Sequence, residues 1–294
     1  SHDAQIQHCI ENLHNPNPRQ RSQAAQELGD LKDELSIPAL ITALQQDVNT
    51  YVRSAAAEAL GHIGSPEAIF PLMDALHDPS SFVRRAAAIA LGQMQAKEAQ
   101  GALLQALDDP NFYVRRAAIN AIGKLGIPSL GPVLLPLLET SDSRIQRTTI
   151  IALRRLKTRQ AIPKMIAILE QHNACPSPRD LPLVKTLVIA LGDLHAQEAV
   201  TTLIRVIRGY VGARSLSATA LGQIGDPRAG PALVEALRDK STNLQLAALK
   251  SLGKLRYHEA APKVQRFLSS PDPRKRRVAA QTLGQLQDEA AIPE

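Results

Sequence analysis

Tryptophan is absent from this 294-residue chain, and all aromatic residues together make up 3% of it. A core built on bulky rings is therefore excluded, and apolar contact must come from small aliphatic side chains. Cysteine occurs twice, at Cys9 and Cys175, with no CxxC pair and no His/Cys cluster. That argues against a disulfide framework or a structural zinc, and fits a reducing, cytoplasmic setting. No run approaches the roughly 18 apolar residues of a membrane span. The opening SHDAQIQH lacks the charged-then-apolar pattern of a secretion signal, and its Ser-His start without methionine reads as a cloning remnant. Walker, Rossmann and nucleophile-elbow patterns are missing. One His-Glu dipeptide, His258-Glu259, falls far short of a metal ligand set. No catalytic residue and no metal ligand is assigned.

What is present is a period. Leu-Gly or Ile-Gly recurs at Leu28, Leu60, Leu91, Ile122, Leu191, Leu221, Leu252 and Leu283, with Leu153-Arg154 filling the open slot. The intervals are 32, 31, 31, 31, 38, 30, 31 and 31 residues. A fixed period of this size means one helical unit stacked on copies of itself. The expectation is an all-α solenoid, a superhelix of about nine helix pairs, forming a single array over residues 1–294. Ala and Leu carry its core.

Residues 65–92 display one unit. Ile69, Leu72, Met73 and Leu76 form one apolar stripe of a first helix, His77 to Ser81 make a capped turn, and an Ala-rich second helix runs from Phe82 to Leu91. Gly92 either relieves crowding or permits a left-handed cap. Seven residues before each Leu-Gly leucine stands an arginine in six units: Arg21, Arg53, Arg84, Arg115, Arg214 and Arg276. Asp47, Asp78 and Asp109 lie six residues before three of them, and the two series can form a ladder between stacked units. Two irregularities interrupt the array. Gln171 to Pro182, with three prolines, reads as an inserted surface loop. The fifth unit replaces the ladder arginine with Gln146 and the glycine with Arg154. The last residues, DEAAIPE, read as the start of another first helix.

The stretches DPSSFVRRAAAIALG (Asp78 to Gly92) and DPNFYVRRAAINAIG (Asp109 to Gly123) resemble the HEAT repeat, in the short form named after phycobilisome lyases. The resemblance covers essentially the whole chain and includes the E/F-type bilin lyases. It implies that the second helix of each unit lines a concave groove. It also implies a recognition scaffold that holds an acidic partner, such as a phycobiliprotein or a second HEAT-repeat subunit, or an open-chain tetrapyrrole (bilin). No cofactor is required for that role, and any reaction would be bilin lyase-like.

Counting from the arginine slot collects the groove positions. Two residues before it come Tyr51, Phe82, Tyr113 and Arg144; one after it come Arg85, Arg116, Arg147 and Lys185. Five after it come Ile89, Asn120 and Ile151, and at the foot stand Lys124 and Arg155. Aromatic, cationic and apolar rows would thus share a face. The aromatics fit packing between units as well as they fit recognition. Seven basic residues between Ser143 and Leu169 have no acidic residue among them, a crowding that an anionic partner would relieve. Formal charge of +6 points the same way. Two other readings stay open: a protein adaptor for complex or cofactor assembly without bilin contact, and a phosphate-backbone binder. The 28 acidic residues spread among 34 basic ones speak against nucleic acid.

Overall fold

The computed structural model describes residues 2–287. The heptapeptide DEAAIPE, read above as the start of a further helix, lies outside the described residues. Among the described residues, nine helix pairs follow one another and form the α-solenoid that the period predicts. They divide into two compact units, Ser1–Leu134 and Leu135–Glu294.

The first unit pairs α1 (His2–Asn12) with α2 (Pro18–Leu31), α3 (Ile37–Gln46) with α4 (Thr50–Ile63), α5 (Ile69–Ala75) with α6 (Ser81–Gln93), and α7 (Gln100–Gln105) with α8 (Phe112–Leu125), and ends in α9 (Gly131–Leu134). In the second unit a 3-10 segment, Leu135–Glu139, leads to α10 (Ser143–Arg155). There follow α11 (Ile162–Ala174) with α12 (Leu181–Asp193), α13 (Val200–Gly209) with α14 (Arg214–Ile224), α15 (Gly230–Ala236) with α16 (Thr242–Lys254), and α17 (Ala261–Gln265) with α18 (Pro273–Gln287). Asn17, Asn49, Ser80 and Asn111 accept hydrogen bonds from the first backbone N–H groups of α2, α4, α6 and α8. Asp142 and Ser241 do the same for α10 and α16, which fixes where these six second helices begin.

The repeated glycine is a packing device. A Cβ added at Gly29, Gly61 or Gly92 would lie 2.8, 2.8 or 2.7 Å from the Cα of Ala59, Ala90 or Ala121 on the next second helix. Successive second helices therefore touch backbone to side chain, and only alanines fit between them: Ala55 to Ala57, Ala86 to Ala88, Ala117 and Ala118 are all buried. In the second unit the seam is partly hydroxylated. Ser251 Oγ donates to the Ala218 carbonyl at 2.8 Å, and Thr282 Oγ1 to that of Leu249 at 3.0 Å. The left-handed residue comes three positions after each glycine slot. It is Gly64, Gly126 or Gly225 in three repeats but Lys32, Gln95, Lys157, His195 or Arg256, with φ between 49° and 54°, in five.

The arginine ladder forms as expected. Arg21 Nε lies 2.7 Å from Asp47, Arg53 Nε 2.8 Å from Asp78 and Arg84 Nε 2.7 Å from Asp109, each pair with a second, parallel bond. The same guanidinium donates to its own turn: Arg53 Nη1 reaches the Asp47 carbonyl at 2.9 Å and Arg84 Nη1 the Asp78 carbonyl at 2.9 Å. Each arginine thus fixes one turn and the next repeat together. Arg214 and Asp239 repeat the pairing in the second unit. Gln146 and Gln245, which replace the arginine, keep only the bond to the preceding turn, donating to Leu138 and Leu237 carbonyls at 3.0 Å. Burial alone would raise the Asp47 and Asp109 carboxyls. The Arg21 and Arg84 guanidinium bonds and the backbone N–H groups of Asn49 and Asn111 outweigh it and hold both below the usual carboxylate range.

The expected loop at 171–182 is shorter than its sequence suggests. Gln171 to Ala174 complete α11, Pro178–Asp180 form a 3-10 turn and Leu181 opens α12, which leaves Cys175 to Ser177 irregular. Pro176, not the earlier polar residues, is what helix geometry rejects. Tyr210 Oη, donating 2.7 Å to the Ser177 carbonyl, and His172, 3.1 Å from Asp180, pin the segment.

Three outcomes follow. Gly92→Ala should lower stability by about 1–3 kcal/mol through overpacking, whereas Gly101→Ala, where an added Cβ meets nothing within 4 Å, should raise it by up to about 1 kcal/mol; urea unfolding distinguishes the two signs. Gln95→Gly relieves about 1–2 kcal/mol of left-handed strain against a chain-entropy cost of about 0.5–1 kcal/mol, so its melting temperature should rise slightly. The lowered Asp47 and Asp109 pKa values contribute stability that is present at neutral pH and lost as pH falls through and below the ordinary carboxylate range. A thermal-melt series against pH should therefore decline in acid, and Asp109→Asn should be less stable at neutral pH and flatter across that acid window.

Candidate functional site: the second-helix face

In the first unit the seam draws α2, α4, α6 and α8 together, while the first helices that back them are short and far less closely packed. The closely spaced layer of second helices carries the expected site residues. Its side chains are placed by register, since each helix starts at an Asn or Ser cap and meets its neighbour at a glycine.

Tyr51, Phe82 and Tyr113 all project to solvent, 62%, 54% and 52% exposed. Packing between repeats, the other reading of the sequence, describes part of their surface, since the Tyr51 and Phe82 rings of successive repeats lie against each other. They sit in the first turns of α4, α6 and α8, two residues after the capping residues. The Tyr51 and Phe82 rings lie 5.9 Å apart at 44°, and Tyr113 meets Phe112 edge-on at 5.3 Å. The Arg116 guanidinium stands over both Phe112 and Tyr113, 5.9 and 6.0 Å from the ring centroids. Arg85 is exposed and has no ion pair among the described residues. Ile89, Asn120 and Lys124 are half-buried rather than open, because the alanine seam brings neighbouring helices over them. Ile89 thus contributes less free apolar surface than its register suggests. Val48, in the turn before α4, is 91% exposed and extends the apolar rim. Its signal was in the sequence: Pro16, Pro79 and Pro110 hold that turn position in the neighbouring repeats.

In the second unit Arg144, Arg147, Ile151 and Arg155 share α10, and Lys185 lies on α12. The crowding of seven unopposed cations does not survive folding, since acids remote in sequence arrive as partners. Arg154 pairs with Asp193 at 3.3 Å, Arg159 with Glu198 at 3.7 Å and Lys164 with Glu139 at 3.1 Å. Arg144 pairs with Asp142 of its own cap at 2.8 Å, and hydrogen bonding from that guanidinium brings the Asp142 carboxyl down to about 2. Arg155 is also engaged. Arg147, exposed, and Lys185, half-buried, are the site residues here without an ion pair among the described residues, while Ile151 is half-buried.

No group of three or more His, Cys, Asp or Glu that could hold a metal occurs among the described residues. The Cys9 thiol is pushed up to about 11 by burial and by the Glu27 carboxylate it donates to, which makes it a poor nucleophile at neutral pH. Cys175 is exposed but stands alone. No helix among the described residues is long and apolar enough to cross a membrane. What the first-unit face can do is bind, through exposed rings, cations and helix N-termini in one strip.

The family model described as HEAT repeats matches residues 6–92, 101–174 and 230–294. The model described as PBS lyase HEAT-like repeat matches residues 83–109 and 213–239. Among similar solved structures is an engineered protein, 19% identical, with 96% of this chain and 88% of that one covered and a TM-score of 0.57. Another is the complex of CpcE and CpcF of phycocyanin lyase from Nostoc sp. PCC7120, 24% identical, covering 96% and 94% at a TM-score of 0.51. Importin beta is 15% identical, covering 96% of this chain and 46% of that one at a TM-score of 0.73. At these identities the likeness is one of fold. No curated protein matches the chain.

If ring stacking holds Arg116 in place, Phe112→Ala should leave helicity intact and loosen the guanidinium, read as a higher hydrogen-exchange rate at its side-chain Nε–H by NMR.

Proposed function

The chain belongs to the HEAT-repeat family, and from that premise we propose that it is a non-catalytic recognition scaffold whose first-unit second-helix face holds an acidic protein. The observation that carries this reading is the strip of three exposed aromatics on consecutive helices, interleaved with Arg85 and Arg116. Rings spaced by the repeat with about half of their surface exposed leave area free for a partner, and aromatic and arginine side chains are the usual anchors of protein interfaces. Arg85 brings a charge not met by any carboxylate among the described residues, so an acidic partner gains electrostatic complementarity as well as apolar burial.

The partner class suggested is a phycobiliprotein, or a second HEAT-repeat chain that shares the work of handling one. The match of two repeats to the PBS lyase HEAT-like model and the fold shared with a two-chain phycocyanin lyase complex support it. A bilin carried by such a partner could stack on Tyr51, Phe82 and Tyr113 with its propionates toward Arg85 and Arg116. Orientation would then be the whole contribution of this chain. A phosphate-backbone role fits less well, because most cations of α10 and the segment after it are already ion-paired.

The test is titration calorimetry with a purified acidic phycobiliprotein subunit, with and without its bilin. Arg85→Glu with Arg116→Glu should weaken binding at least tenfold, and Tyr51→Ser with Phe82→Ser by a similar factor, with unchanged melting temperature. Arg147→Glu with Lys185→Glu reports separately on the second unit. Unchanged affinity in the first two double variants removes the assignment of this face, and no binding of the wild-type chain removes the partner class.

A further inference from the structure

The excess charge of the chain is concentrated where the groove reading does not look. Residues 227–287 hold twelve Lys and Arg against four Asp and Glu, an imbalance larger than the net +6 of the whole chain. Those four acids are all occupied. Glu235 pairs with Arg208 at 2.9 Å and Asp239 with Arg214; Asp272 pairs with Arg274 at 3.0 Å, and Glu259 accepts from Tyr257 Oη at 2.7 Å. Arg228 pairs with Asp226, just before the stretch, at 2.6 Å, which leaves the other cations of the stretch outnumbering its acids.

Three of them surround one cleft. It lies between α15 and α17 with the 3-10 turn that follows, on the first-helix side of the second unit, and is an open cleft of about 430 Å³. Val234, Leu237 and Phe267 form apolar walls, and Arg238, Lys263 and Arg266 stand around them. Leu237 is buried, Val234, Lys263 and Phe267 are half-buried, and Arg238 and Arg266 are exposed. None of the three cations has an ion pair among the described residues. Apolar walls alone would favour any greasy solute, and three cations alone any anion. Their combination in a volume within the small-ligand range of roughly 300–1,000 Å³ selects a molecule with both characters.

We propose that this cleft is a binding site for a small amphipathic anion: an alkyl or aryl body seated against Phe267, Val234 and Leu237, with a carboxylate or phosphate head held by Arg238, Lys263 and Arg266. Two guanidinium groups and one ammonium give bidentate and point-charge contacts to such a head. The site lies in the other unit from the aromatic strip and does not depend on the protein-recognition reading.

The experiment is calorimetry on the full chain with octanoate, octyl phosphate, octanol and inorganic phosphate. Octanoate or octyl phosphate should bind saturably at one site, the tighter of the two identifying the head group. Octanol and inorganic phosphate should each bind at least tenfold more weakly. Lys263→Glu with Arg266→Glu should weaken the octyl anion at least tenfold, and Phe267→Ala at least threefold, while Arg85→Glu with Arg116→Glu changes nothing. Should the charge-reversed double variant lose helicity, Lys263→Gln with Arg266→Gln replaces it, with the same expectation. Equal binding of octanol reduces the cleft to apolar adsorption, and equal binding of inorganic phosphate reduces it to surface charge. Absence of binding by both octyl anions, or binding indifferent to these variants, also overturns the proposal.

Discussion

The approach of each second helix to the next, glycine against alanine at the limit of van der Waals contact, governs the rest of this structure. Because a Cβ at Gly61 or Gly92 has no room, the seam admits only the smallest side chains. The buried faces of α4, α6 and α8 are consequently almost all alanine with a few Leu, Ile and Val. Individual alanines bury little apolar area, so stability is spread over many equal contacts, as expected of an array whose neighbours stabilise one another. The scarcity of aromatic residues follows from the same constraint. Rings cannot enter the seam, and Tyr51, Phe82 and Tyr113 stand at its rim.

Directionality comes from the arginine ladder. An alanine seam alone is slippery, since similar surfaces could slide by a helical turn. A guanidinium that binds its own turn's carbonyls and the next repeat's carboxylate fixes both rotation and height. These pairs are mostly shielded, with side chains 8–15% exposed in the first unit. Breaking one would leave a charge poorly solvated, so the ladder specifies register more than it adds stability.

Much of this was legible in the sequence, because stacking uses fixed positions. The period, the glycine and the Arg/Asp spacing gave the nine pairs and the ladder directly. The exposure of Tyr51, Phe82 and Tyr113 was not decidable from register, since the first turn of a helix can face a neighbour or solvent depending on how tightly repeats stack. The basic run from Arg144 to Lys164 misled for a different reason: its acidic partners Asp193, Glu198 and Glu139 lie outside the window, and only folding brings them near. The cleft beside Phe267 left no motif, because its residues come from two repeats and only the walls Val234 and Leu237 fall on the repeated apolar stripe.

Since every rung of the first unit joins the same kind of donor to the same kind of acceptor across 25 or 26 residues, one repeat is chemically exchangeable for another. Excising a whole period would bring Arg53 to Asp109 in place of Asp78, with no new type of contact at the splice. Length is therefore a free variable for evolution: duplication or loss of a segment would lengthen or shorten the row of rim aromatics by one ring, retuning reach toward a target without redesigning the spine.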